Sequence, residues 1–336
     1  MTVVPDRINV SVITCAWNAE RHLAGAIESA LLQHGTELEV IVIDDHSTDR
    51  TFEVAHGFAL SDPRVRAVRL DRNLGPAGAR NVGLELASGE WIALLDADDR
   101  YHYDRLFALL DVAREWNADM VADNLWLVDG RSGRPFDIML PRNHLASPRL
   151  ISASLFVQNN MPANVKRKYG LLKPMIRRDF IERNRLRYDE DVFYGEDFLF
   201  YLECLLRGAR FVLDPKPHYY YTLSRGSVTQ TRALQQAEHF LERCDQLLER
   251  TDVRSAPRLV DALTCRSFQL RSDLVYLQFA SAVKQRRIGE ALKLLLMRPD
   301  AAPFVMLHLN RAIALRARQL AAGIRRSRVA AARNRD

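Results

Sequence analysis

The chain has 336 residues, 48% of them hydrophobic and 27% charged, which excludes a largely disordered protein and leaves room for one large or two modest domains. Its four cysteines, Cys15, Cys204, Cys244 and Cys265, lie far apart with no CxxC pair, so neither a disulfide framework nor a zinc site is expected and a reducing compartment fits. The net charge of +6 is concentrated towards the C-terminus, no secretory signal is read before the first apolar run, and no stretch approaches the ~18 uninterrupted apolar residues of a membrane span.

In chain order, Ile8–Cys15 is a β-branched run expected to form a buried strand, and Ala19–Gln33 follows with Leu23, Ile27, Ala30 and Leu31 on one helical face. Glu39–Ile43 is the next strand and runs into Asp44-Asp45, after which Ser47–Asp49 offers N-caps for a helix carrying Phe52, Ala55 and Phe58. Val65–Leu70 is a third strand, Gly75 opens a helix through Ala87, and Glu90–Leu95 is a fourth strand ending at Asp96-Ala97-Asp98-Asp99. Arg105–Asn117 is helical and Met120–Leu127 a further strand. This alternation predicts an α/β fold with a mainly parallel sheet and helices on both faces, whose ligands bind beyond the carboxyl ends of the strands. Residues 136–169 look like an irregular active-site loop region, Gly195–Leu206 reads as a helix and Pro217–Thr222 as a tyrosine-rich strand. After Thr229 the pattern is helical nearly to the end, which divides the chain into a catalytic domain over 1–230 and a helical C-terminal region with a basic tail over 231–336.

Both acidic clusters fall at expected strand ends. Asp96, Asp98 and Asp99 repel one another, and oxygen ligands placed together suit magnesium or manganese, although a solvated loop capping the next helix would have the same composition. Asp44-Asp45 taken alone reads equally as a helix cap. The segment Gly75–Asn81 is a glycine-bearing turn entering a helix, able to receive phosphate at the helix N-terminus near Arg80, or simply a tight turn. Glu196-Asp197 lies among Phe193, Tyr194, Phe198, Phe200 and Tyr201, a setting that suits either a general base with a raised pKa or a buried helix cap. His218 and Ser224–Ser227 are candidates for phosphate contact or for a surface loop.

Four stretches carry a resemblance: residues 11–33 (SVITCAWNAERHLAGAIESALLQ), 39–51 (EVIVIDDHSTDRT), 73–99 (NLGPAGARNVGLELASGEWIALLDADD) and 170–205 (GLLKPMIRRDFIERNRLRYDEDVFYGEDFLFYLECL). In this order they resemble the inverting family 2 glycosyltransferases of the GT-A fold, nearest to bacterial exopolysaccharide-type transferases. The resemblance implies that Trp17 stacks on a nucleotide base and that Asp45 hydrogen-bonds the uracil of a UDP-sugar, with Cys15 nearby where a relative carries threonine. It implies that Arg80 supports the diphosphate, that Asp96 and Asp98 form a DxD-like motif, and that Asp98 with Asp99 holds the nucleotide sugar and a divalent metal, Mg2+ or Mn2+. Asp197 falls at the family's catalytic base, and Arg225 and Ser227 on a loop that closes over the diphosphate. The implied reaction moves a sugar to a hydroxyl of a glycan or lipid-linked acceptor, with inversion, in bacterial surface polysaccharide synthesis. No nucleic-acid partner is implied.

Two other readings fit parts of the sequence, a metal-dependent nucleotidyltransferase and a non-catalytic lipid- or nucleic-acid-binding protein with a degenerate enzyme core. The glutamate–aspartate pair has no evident use in the first, and intact acidic clusters would repel a polyanion in the second. At the C-terminus, Arg311, Arg316, Arg318, Arg325, Arg326, Arg328, Arg333 and Arg335 face a single acid, Asp336, with apolar residues interspersed. Such a helix suits an anionic membrane surface, giving an expected location in the cytoplasm, peripheral on the inner face of the cytoplasmic membrane; a frayed, solvated tail is the alternative.

Overall fold

The computed structural model describes residues 9–162, 167–193, 195–223, 233–307 and 309–310. Its strands are β1 (Val10–Ala16), β2 (Leu38–Asp44), β3 (Val65–Arg69), β4 (Trp91–Leu94), β5 (Arg100–Tyr101), β6 (Met120–Asp129), β7 (Pro135–Ile138), β8 (Arg149–Leu150), β9 (Met175–Arg177) and β10 (Phe211–Leu223). The helices are α1 (Leu23–Leu31), α2 (Thr51–Ser61), α3 (Gly75–Leu86), α4 (Arg105–Trp116), α5 (Ala153–Gln158), α6 (Arg178–Arg183), α7 (Glu196–Leu206), α8 (Ala233–Glu249), α9 (Thr251–Arg254), α10 (Pro257–Lys284) and α11 (Ile288–Met297). Two compact units are present, Met1–Arg266 and Ser267–Asp336, and the division falls within α10.

Among the described residues the strands form one sheet in the order β3-β2-β1-β4-β9-β6-β10-β5, with β7 on β6 and β8 on β10. Neighbours pair in parallel through β3-β2-β1-β4 and again at β6-β10. Strand β9 is antiparallel to both β4 and β6, so β6 and β10 run in the same direction as β1–β4. The apolar runs of β1, β2 and β4 are almost wholly buried, as expected for strands covered on both faces. From β1 to β3 the chain moves outward in one direction, then returns past β1 to β4. Right-handed crossovers therefore put α1 and α2 on one face and α3 on the other. The reversal leaves a crevice beyond the carboxyl ends of β1 and β4, the usual ligand position in such sheets.

The mainly parallel sheet flanked by helices is the predicted architecture, and the described residues after β10 are helical. Three details differ from expectation. Residues 136–169 contain β7, β8 and α5. Strand β9 is only three residues long, below the length at which alternation is readable. Strand β10 begins well before Pro217, because its pairing with β6 passes through Asp214–Pro217 with shifted register, a bulge that accommodates prolines lacking ladder donors.

Candidate active site

The loops after β1 and β2 are tied together. Asn18, with φ of 50°, receives Thr48 N–H at its Oδ1 (2.9 Å) and donates its own N–H to Ser47 Oγ (2.9 Å). Ala19 N–H donates to Thr51 Oγ1 (2.7 Å) and Glu20 N–H to Asp49 Oδ2 (3.2 Å). Trp17 projects from this frame and is 47% exposed, available for stacking. Burial pushes the Cys15 thiol up to about 12, so the side chain is neutral at physiological pH.

Asp45, buried at the end of β2, accepts Leu74 N–H at Oδ1 (2.7 Å) and Gly75 N–H at Oδ2 (2.9 Å). The α3 N-terminus thus meets a carboxylate supplied by another strand. Burial raises the Asp45 pKa, with the two amides pulling the other way. Gly75 has φ of 76°, and a Cβ there would stand 2.6 Å from the Phe193 ring, so glycine is required on both counts.

Helix α3 carries Arg80 into the crevice from one side, and α7 brings Glu196 and Asp197 from the other. Gly195, at φ of 82°, lets the chain turn into α7 where a Cβ would strike Phe240. Arg80 Nη1 lies 2.6 Å from Glu196 Oε1 and 3.2 Å from Asp197 Oδ1, and its Nη2 lies 3.3 Å from Asp96 Oδ1. Lys173 Nζ, 3% exposed, lies 2.8 Å from both Asp96 Oδ2 and Asp197 Oδ2. Burial opposes the ammonium charge, but Asp197 and Asp96 hold its pKa above the ordinary lysine value. Burial also works against the Asp96 carboxylate, yet Lys173 and Arg80 outweigh it and the pKa falls. For Glu196, burial prevails over Arg80 and the pKa rises.

Lys173 was not among the residues singled out in the sequence. Its signal is a lone charge in the apolar run Gly170–Ile176, since a buried charge requires a partner. Arg105 is a second such residue. It is completely buried, paired with Asp123 (2.7 Å), and its guanidinium lies 4.5 Å from the Tyr101 ring centroid and 5.0 Å from that of Tyr219. It also donates to the Lys173 carbonyl.

The acidic turn after β4 splits into unlike carboxylates. Asp96 faces Arg80 and Lys173. Asp99 is buried, accepting Tyr219 O–H at Oδ2 (2.7 Å) and Thr222 N–H at Oδ1 (2.7 Å). Its pKa is well above the usual carboxylate range, through burial and then Asp96 and Asp98. Asp98 is the exposed one of the three, and desolvation, then Asp96, raise its pKa. Among the described residues no group of three or more His, Cys, Asp or Glu is arranged to hold a metal ion unaided. The carboxylates of this turn fit the common magnesium arrangement of one or two carboxylates with substrate phosphates and water, and Asp98 is the one open to solvent. Arg225 and Ser227 lie outside the described residues, as does Tyr194.

Comparison with known proteins bears on the family and the fold. The model of the family "Glycosyl transferase family 2" matches residues 11–169. The succinoglycan biosynthesis protein ExoO of Rhizobium meliloti (strain 1021) is 36% identical over 322 residues, covering 95% of this chain and 88% of the relative. Among solved structures, Staphylococcus aureus TarS 1–349 with UDP-GlcNAc superposes with a TM-score of 0.63 at 19% identity, over 80% of this chain and 81% of that one. The mannosyltransferase PcManGT of Pyrobaculum calidifontis, with GDP-Man and Mn2+, gives 0.58 at 18%, over 89% and 84%. These likenesses establish the GT-A fold, and the nucleotidyltransferase and non-catalytic readings fall away. With acids at the ends of β2 and β4 and a further acidic pair opposite them on α7, the chain belongs to glycosyl transferase family 2 and is a glycosyltransferase.

Proposed function

We propose that the enzyme transfers a sugar, with inversion, from a nucleotide diphosphate sugar of the UDP class to a hydroxyl of a glycan or lipid-linked acceptor in bacterial surface polysaccharide synthesis. The observation that carries the reading is the meeting of Asp96 and Asp197 across the crevice through two shared cations, Arg80 and Lys173. This shared network supports reading Asp96 as a donor-side carboxylate and Asp197 as the base of one site. The part of ExoO in succinoglycan synthesis supports the polysaccharide setting, and the nucleotide sugars held by TarS and PcManGT support the donor class.

In this reading Trp17 stacks on the base, Cys15 packs beside it and Asp45 recognises uracil while fixing the α3 N-terminus. Arg80 balances charge developing on the departing diphosphate. Asp98 and Asp99 are assigned to a Mg2+ or Mn2+ that would supply further positive charge to that diphosphate, Asp99 being also fastened to Tyr219 and Thr222. Asp197 takes the proton of the acceptor hydroxyl as it attacks. Arg225 and Ser227 are assigned to closure over the diphosphate.

A peripheral membrane location suits a lipid-linked acceptor. No described helix is long and apolar enough to cross a membrane. In the second unit, Ile288, Leu292 and Leu296 form an exposed row on α11, with Arg287 and Lys293 nearby. This row and the arginines of residues 311–336 support contact with anionic lipid.

The test is donor binding and transfer by two variants. Asp197→Asn should bind donor normally and lose turnover by roughly 100-fold or more, whereas Asp98→Asn should abolish stabilisation by UDP plus Mn2+ together with transfer. Parallel loss of donor binding and turnover in Asp197→Asn would remove the base assignment. Near-normal transfer by a folded Asp98→Asn protein would remove the metal assignment.

A further inference from the structure

We infer that Lys173 is a positioning residue for transfer, holding the Asp197 carboxylate on its bearing through one of its oxygens. The inference rests on Asp197 being the base. Lys173 Nζ donates to Asp197 Oδ2 at 2.8 Å. Oδ1 of the same carboxylate is buried and receives no hydrogen bond, for Arg80 Nη1 stands 3.2 Å away without the geometry of one. With Oδ1 held only by the Arg80 ion pair, the hydrogen bond from Lys173 sets the orientation of the carboxylate.

The topology explains why a lysine from residue 173 arrives at this point. In a parallel sheet the crevice collects residues that follow strands. Strand β9 is antiparallel, so its beginning, not its end, lies towards the carboxyl end of β4, while it pairs with the first residues of β6. Extending the pairing of Ile92 with Ile176 brings Lys173 level with Leu95, next to Asp96. Extending that of Val121 with Met175 brings it level with Asp123. Both ends of the residue are then fixed. Its carbonyl is held by Arg105, which is paired with Asp123, and its ammonium is anchored by Asp96 at 2.8 Å. Without the ammonium, Asp96, Glu196 and Asp197 would share Arg80 alone, and repulsion would turn the base from its bearing.

A double-mutant cycle on the full chain tests this. Lys173→Met and Asp197→Asn should each lower kcat by roughly 100-fold or more. The double variant should fall no more than about 3-fold below Asp197→Asn alone, since a residue acting through the base has nothing left to position. Multiplicative losses, or a Lys173→Met enzyme with wild-type kcat, would overturn the inference. If Asp197→Asn itself keeps full turnover, the base assignment fails instead, and the two failures are distinguishable. Lys173→Gln, closer in polarity, serves if the methionine variant does not fold. Should neither fold, reductive methylation decides: the pairing predicts Lys173 protected in the wild type and more reactive in Asp197→Asn, and equal reactivity would overturn it.

Discussion

The Tyr219 hydroxyl donates to Asp99 Oδ2 at 2.7 Å and accepts the Asp96 N–H at 3.2 Å, so one phenol from β10 fastens both ends of the acidic turn after β4. Its ring also covers Arg105. Tyr219→Phe keeps the ring and removes the fastening, leaving a buried carboxylate oxygen and a main-chain N–H without their partner. The expected cost is about 1–3 kcal/mol of stability, read by urea denaturation, with a raised KM for the nucleotide sugar. An unchanged KM in a destabilised protein would show that the clamp serves folding only.

Arg105 is expected to be the most sensitive structural position near the site. Arg105→Met leaves Asp123 charged and buried, a change that typically costs about 3–5 kcal/mol. The double variant Arg105→Met, Asp123→Leu should recover part of that loss by removing the stranded charge. If the double variant is no more stable than the single one, the cost lies in lost packing between Tyr101 and Tyr219 and not in the ion pair.

Asp49 provides a prediction in pH. Burial acts against its charge, but hydrogen bonds from the Thr51 hydroxyl, Thr51 N–H and Glu20 N–H outweigh it, and the pKa is lowered. A lowered pKa in the folded state stabilises fully above the unfolded value of about 3.9 and is lost as pH falls through the folded value. Asp49→Ala should therefore cost about 1 kcal/mol at neutral pH, and the gap from wild type should narrow below about pH 4. A gap independent of pH would assign the effect to packing.

Chains ending before Arg311 should lose salt-sensitive binding to vesicles containing anionic lipid, since each arginine near such a surface is worth about 1 kcal/mol. Donor binding should survive the truncation. If binding persists without the tail, the α11 row is the contact, and Leu292→Glu should then abolish it. No vesicle binding by the intact chain would remove the membrane reading.

The parallel half of the sheet was legible because β1, β2 and β4 are uninterrupted apolar runs, and the acidic clusters were legible because each directly follows such a run. What the carboxylates do was not, because their partners are remote. Asp45 is occupied by amides of Leu74 and Gly75, and Asp99 by Tyr219 and Thr222. Lys173 escaped notice for the same reason: a single lysine has no period, and its importance comes from a three-residue strand that reverses direction. Arg105 reads as an ordinary exposed helix start until the fold places Asp123 and two tyrosine rings around it.

The distance along the chain between the acidic turn and β10 also orders events on the ribosome. Asp99 precedes Tyr219 by 120 residues, a delay on the order of ten seconds at ordinary elongation rates. For the part of that interval before Met175–Arg177 is made, a β3-β2-β1-β4 half-sheet would present an unpaired β4 edge. An unpaired apolar edge invites pairing with other chains, and charge at its end deters it. Asp96, Asp98 and Asp99 follow that edge directly, and their charge would deter such pairing before Lys173 and Tyr219 are made.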